Sequence, residues 1–241
     1  MIAALGMYDR PETAHANDAF WALFREALGD GPKSLTRDMV FWDIWQSSDL
    51  LLSQTCGLPY RAHLHDNVQL VGTPDYGIDG CEAGYYRSVI VSRKGSGVDM
   101  SDLSSLRLGY NDRLSQSGWA AFWAHVPKGS KPKELIKTGG HAASAKAVAD
   151  GEVDIATLDA LTWRLIHQFD DFAEKLTVLE QTSPTPGLPY ITALSRDPKP
   201  IRNAVVHAIH ALPSDLRALL HLKGFVQIPK AKYLEIPMPP G

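Results

Sequence analysis

Within this chain of 241 residues, one short stretch combines side chains that could hold an anion. In "RLGYNDRLSQSGWAAFWAHV" an apolar segment runs through polar turn residues into Ser115, Gln116, Ser117 and Gly118, and then into a run rich in Trp, Ala and Phe. The pattern predicts a strand, a turn and the start of a helix. The first amides of a helix lack intrahelical acceptors, and the macrodipole favours negative charge there. Hydroxyls at Ser115 and Ser117 can cap those amides or donate to a bound oxyanion, and Gly118 admits a close approach to the backbone. Spacing alone favours plain capping and leaves anion binding open. His141, at a Gly-Gly-His turn before an Ala-rich run, has the same two readings as cap or ligand donor. Asp159, after "VDIATL", reads first as the N-cap of the helix "ALTWRLI".

Other chemistries find less support. "HLHD", residues 63 to 66, places two histidines on one face of an extended segment, but no third metal ligand follows, and a surface loop is the better reading. "LSQSG" lacks the leading glycine of a nucleophile elbow, and "GSGVDMSDL" lacks the second half of a dinucleotide fingerprint and any Walker lysine. Asp170 and Asp171 sit at a helix end and read as solvated. No catalytic set, cofactor or metal is expected. Cys56 and Cys81 each lie beside glycine in loop-like contexts. They could pair, closing a loop worth about 3 kcal/mol, or stand as reduced thiols in packed turns.

The elements that must position these residues follow from patterning. The chain is 44% hydrophobic and 21% charged, with a formal net charge of −3 and both signs dispersed, which argues for a folded globular protein and against a nucleic-acid partner. No apolar run approaches the roughly 18 residues of a membrane span. "MIAALGMYD" predicts a strand, and "PETAHANDAFWALFREALGDG" a helix capped by Asn17 or Asp18 and ended by Gly29. Further strands are expected in "LLLSQ", "NVQLVGTPDY", "YYRSVIVSRK", "RLGYND", "VDIATLD", "LTVLEQ" and "YITALS". Helices alternate with them, and the remainder reads as mostly helical. This alternation predicts an α/β protein with largely parallel sheets. Two segments, 85–97 and 183–190, look like crossings. They divide the chain into a discontinuous lobe, 1–90 plus 188–241, and an inserted lobe, 91–187, with a ligand cleft expected between the two.

The ordered set "YYRSVIVSRKGSG…DLSSLRLGYNDRLSQSGW", "TGGHAASAKAVADGEVDIATLDALTW" and "TSPTPGLPYI" resembles the substrate-binding proteins of phosphonate/phosphate ABC transporters, over about residues 56 to 195. The loop reads S-Q-S-G where an S-T-S-G form is common in the family, so an amide at Gln116 replaces one hydroxyl. The resemblance implies a two-lobed periplasmic-binding-protein fold of the second type, closing by hinge motion around a small phosphate- or phosphonate-like anion. It implies that Ser115, Ser117, the Gly118 amide and His141 meet the anion, with Gln116 shaping the loop. Asp159 would meet a ligand amine, and Tyr8 and Tyr86 would supply aromatic walls; Arg87 could pair with the anion or lie in solvent. It also implies a periplasmic location and an ABC transporter permease as partner. The opening residues carry no basic run and too short an apolar core for a signal peptide, so the chain reads as lacking its own export signal. That leaves a cytoplasmic enzyme or ligand sensor on the same scaffold as the alternative.

Overall fold

The computed structural model describes residues 1–240. The described chain forms two compact units. The first comprises Met1–Tyr85 with Pro186–Ile236, and the second Tyr86–Thr185 joined by the residues from Pro237 on.

In the first unit, "MIAALG" supplies the strand Ile2–Ala4, which pairs parallel with the wholly buried strand Leu50–Gln54. Tyr190–Ala193 lies antiparallel between Leu50–Gln54 and Val68–Asp75, and Gly224–Val226 closes the far edge antiparallel to Val68–Asp75. One face is covered by the helices Ala14–Leu28 and Pro198–Ala211. Phe20, Trp21 and Phe24 from the former and Ile201, Val205 and Ile209 from the latter join Leu51, Leu52 and Val71 in one apolar cluster. The opposite face packs Ile44, Trp45, Tyr60 and Leu64 with Tyr233.

The helix Ala14–Leu28 ends at Gly29 in the left-handed conformation expected of a terminating glycine, φ 76°. Its start differs from expectation. The turn at Arg10 accepts from the amides of Thr13 and Ala14, so the helix begins before Asn17 and Asp18 and neither caps it. Asn17 is buried one turn in, donating to the Asp9 carboxylate at 2.9 Å. "HLHD" also departs from its reading as a loop: His63 and Leu64 end a helical turn over Tyr60–Leu64, with Leu64 buried in the core. The strand Gly224–Val226 was not expected at all.

The second unit holds a sheet in the order Glu134–Lys137, Arg107–Tyr110, Ile155–Asp159, Ser88–Arg93, Leu176–Gln181. The first three strands are mutually parallel, and the last two pairings are antiparallel. The sheets are therefore mixed rather than largely parallel. Parallel neighbours need a crossover long enough to return the chain, and the helices Gln116–His125 and His141–Asp150 provide it within this unit. Ser88–Arg93 has no such helix before it and runs against its neighbours. The expected boundary at 90–91 falls inside this strand.

Candidate functional site

The parallel strands Arg107–Tyr110, Glu134–Lys137 and Ile155–Asp159 deliver three polar corners of the second unit. After Tyr110 the chain turns on Asp112, whose carboxylate accepts from the Leu114 amide at 2.9 Å and whose carbonyl accepts from the Ser115 amide at 3.0 Å. Ser115 is extended, φ −79° and ψ 128°, and its Oγ accepts from the Gly118 amide at 2.9 Å. It is thus the N-cap of the helix that begins at Gln116. The opening turn is wide, closed by the Ala120 amide on the Ser115 carbonyl at 3.0 Å. Ser115, Gln116 and Ser117 are all buried. Because the Gly118 amide is already given to Ser115, the Ser115 hydroxyl keeps its proton for another acceptor.

The second corner follows Glu134–Lys137. Gly139, at φ 88°, turns the chain so that the helix His141–Asp150 starts beside the first loop, with no side chain capping it. His141 Nε2 lies 2.8 Å from Ser117 Oγ and 3.4 Å from Asn111 Nδ2. Burial pushes the His141 pKa down to about 4, with the Thr157 backbone working the other way, so the ring is neutral at pH 7. The Thr157 backbone takes the ring proton on Nδ1, which leaves Nε2 as the lone-pair nitrogen facing Ser117 and Asn111. Gly118 leaves room for a side chain here: a methyl at that position would fall 2.0 Å from Asn111 Oδ1 and 3.1 Å from His141 Cε1. Two polar atoms around this corner, Asn111 Oδ1 and Thr157 Oγ1, are buried without a hydrogen-bond partner.

At the third corner, Asp159 ends its strand and caps the helix Ala160–Phe169, with Oδ1 accepting from the amides of Leu161 at 2.8 Å and Thr162 at 3.0 Å. Tyr86 is buried at the start of this unit, and Arg87 donates to Gln181 Oε1 at 2.7 Å. Tyr8 belongs to the first unit. Its ring meets that of Tyr76 edge-on at 5.2 Å, and it lines a cavity of about 20 Å³, room for one water, with Asn17, Gln54 and Tyr190. Cys56 and Cys81 stand in the first unit as half-buried thiols. Among the described residues no group of three or more His, Cys, Asp or Glu side chains is placed to hold a metal ion, and no helix is long and apolar enough to cross a membrane.

Asn111 and Thr157 escaped the sequence reading. An Asn directly after a strand reads as an ordinary turn residue, and a Thr inside "VDIATLD" as an ordinary strand residue. Only their convergence on His141 marks them.

The family model described as ABC transporter, phosphonate, periplasmic substrate-binding protein matches residues 50–233. Comparison with curated proteins finds no match. Among solved structures, the chain is similar to a binding-protein component of an ABC phosphonate transporter from Pseudomonas aeruginosa, at 17% identity and TM-score 0.74, covering 98% of this chain and 83% of that one. It is similar to PhnD1 from Prochlorococcus marinus (MIT 9301) in complex with methylphosphonate, at 15% identity and TM-score 0.77, over 96% and 93% of the two chains. A protein of Xanthomonas citri bound to chloride ion aligns at 11% identity and TM-score 0.66, over 94% and 93%. The fold is that of the two-lobed type II periplasmic binding proteins. With the family model matching most of its length, the chain belongs to the periplasmic substrate-binding proteins of phosphonate ABC transporters.

Proposed function

We propose that this protein captures a small phosphorus oxyanion at the start of the helix Gln116–His125 and hands it to an ABC transporter permease, acting in the periplasm and breaking no bond. The observation that carries this reading is the Ser117–His141 pair at 2.8 Å on an opened helix N-terminus, ringed by buried polar atoms that lack partners. Unpartnered buried polar groups cost about 1 to 3 kcal/mol each. A ligand that brings both ionised oxygens and an O–H removes that cost.

Ser115 and Ser117 donate hydroxyl protons to the anion, and the helix opening adds its dipole. When the Ser117 proton turns to the ligand, Asn111 Nδ2 still supplies His141 Nε2. Gln116 closes the loop, and Asp159 presents a carboxylate to any cationic group the ligand carries. Tyr8 and Tyr86 are assigned as aromatic walls, and hinge closure at the two chain crossings as the means of capture. The family's prior for a phosphonate, and methylphosphonate in the Prochlorococcus protein, set the first probes.

The test is a thermal-shift and calorimetric screen with methylphosphonate, 2-aminoethylphosphonate, phosphate, phosphite, sulfate and acetate. A ligand at 100 times its dissociation constant adds about 2.7 kcal/mol of stability, a plain shift in Tm. Ser117→Ala should weaken the phosphorus ligand by about 1 to 3 kcal/mol. Binding of none of these oxyanions, or equal binding by the Ser117→Ala protein, would overturn the assignment of the loop.

A further inference from the structure

We propose that Asn111 accepts a hydrogen bond from a proton on the bound oxyanion, so that the site takes monoprotonated phosphonates and phosphates and turns away sulfonates and sulfates. This rests on the reading that the Ser115–Gly118 loop holds a phosphorus oxyanion, and it names the ionisation state that fits.

The argument is an inventory of donors and acceptors. His141 Nε2 is a lone-pair nitrogen with Ser117 Oγ at 2.8 Å and Asn111 Nδ2 at 3.4 Å. The Nδ2 end of the Asn111 amide faces the ring, 3.4 Å from Nε2, and the Oδ1 end faces Gly118 at the helix opening. Oδ1 is buried there without any donor. It lies where a Gly118 side chain would be, 2.0 Å from the position of a methyl, so the glycine creates the space the acceptor uses. A fully ionised oxyanion offers an acceptor only lone pairs, and two lone pairs facing each other away from water repel. An oxyanion that keeps one proton meets Oδ1 with an O–H donor and still presents ionised oxygens to the serine hydroxyls. Phosphonates hold such a proton into the neutral range. Sulfonates and sulfate are too acidic to hold one.

Each charged group packed around the loop has a partner. Asp112 is partly buried, which raises its pKa, but its hydrogen bond from Lys137 carries it below the ordinary carboxylate value. Arg113 lies over the Trp119 ring at 5.1 Å, and Asp159 accepts from two helix amides. His125, at the far end of the helix, is bridged to Glu180, and Lys146 to Asp150 at the far end of the helix His141–Asp150. His141 itself stays neutral throughout. Inside the loop the ligand is then the titrating group, and methanesulfonate, which holds no proton in this range, controls for groups farther away.

The experiment is calorimetric titration of the full chain with methylphosphonate and with methanesulfonate at pH 5.5, 7.0 and 8.5, on the natural protein, Asn111→Ala and Asn111→Asp. For the natural protein, methylphosphonate affinity should fall about tenfold or more from pH 5.5 to 8.5, with methanesulfonate about tenfold or more weaker at every pH, the penalty of an acceptor left without a donor. Asn111→Ala should flatten the profile and narrow the sulfonate gap, and Asn111→Asp should keep the gap and steepen the profile. A pH-independent affinity shared by phosphonate and sulfonate in the natural protein overturns the proposal while leaving the anion loop in place. Failure of both compounds, and of inorganic phosphate, to bind at any pH overturns the loop reading and this inference with it.

Discussion

The interior polar groups of the two units are treated differently. In the first unit Gln54 Nε2 donates to the Tyr76 hydroxyl at 3.2 Å and the Leu188 carbonyl at 3.1 Å. Thr73 and Tyr233 share a hydrogen bond at 2.6 Å, and the Tyr233 hydroxyl reaches the Gly187 carbonyl at 3.0 Å. The indoles of Trp21 and Trp45 each donate to a backbone carbonyl, at 2.9 and 3.1 Å. In the second unit Asn111 and Thr157 each keep a buried atom unpartnered around one helix opening, and the indole of Trp123 on that helix is likewise unpartnered. Buried polar groups in folded proteins are normally satisfied. The first unit has its own exception at Arg196 Nε; what sets the second unit apart is that its orphaned atoms fall around one helix opening, the arrangement the proposed oxyanion site uses.

The sharpest way to break this contrast is the same exchange at one glycine in each unit. A methyl at Gly187 would fall 2.5 Å from the Gly84 carbonyl oxygen, and the Gly187 amide already donates to that oxygen at 2.8 Å. Both partners are backbone and cannot step aside. Gly187→Ala should therefore cost about 3 kcal/mol of stability by urea denaturation. At Gly118 the obstacle is the tip of the Asn111 side chain, which can rotate away. Gly118→Ala should leave more of the stability and remove oxyanion binding. A Gly187→Ala protein as stable as the natural one, or a Gly118→Ala protein that still binds, would erase the distinction.

His141 gives the second comparison, between a neutral buried imidazole and its solvated counterpart in the unfolded chain. Its folded pKa, about 4, lies below the ordinary 6.5. Between those values the unfolded chain binds a proton that the folded chain does not, so stability falls as pH drops from 6.5 to 4, by about 1.4 kcal/mol per unit at most. Above pH 6.5 the effect is absent. The stability of a His141→Gln protein should fall less steeply over that window when the two are followed by urea denaturation at stepped pH. Parallel slopes for the two proteins would mean that the ring is not held neutral by its surroundings.

Much of this arrangement was legible in the residues, for reasons that also explain what was not. Leu50–Gln54 announces itself as an apolar run and Ser88–Arg93 as a β-branched one, and Gly139-Gly140-His141 with Gly151 brackets a helix by its ends. These are local signals. Strand direction is not local: the antiparallel pairing of Ser88–Arg93 depends on Leu176–Gln181, far along the chain, so parallel sheets were the wrong expectation. Gly224–Val226 has too few residues to show an alternation. The capping residues at Asn17 and Asp18 are of the right type but lie inside a helix begun earlier by the Arg10 turn. The Ser117–His141 pairing joins two elements through a parallel crossover, and no spacing rule predicts it; the resemblance suggested that both residues served one ligand, and Asn111 between them looked like any turn residue.

Asp159 separates the two uses of a polar side chain within a single residue, and it carries the smallest expected effect. Its Oδ1 caps the helix Ala160–Phe169 by accepting from two amides. Removing such a cap costs about 1 kcal/mol, and asparagine preserves it. Asp159→Ala should therefore lose about 1 kcal/mol in urea, and Asp159→Asn almost nothing. Binding discriminates further. If the carboxylate also faces a cationic ligand group, Asp159→Asn should keep its affinity for methylphosphonate and lose affinity for 2-aminoethylphosphonate, because only the second ligand carries an amine that reads the charge. Equal losses for both ligands would place the charge on the oxyanion site itself. No loss for either would assign Asp159 wholly to the helix, and move it to the side of the comparison occupied by Gln54 and Tyr233, where polar groups serve the fold.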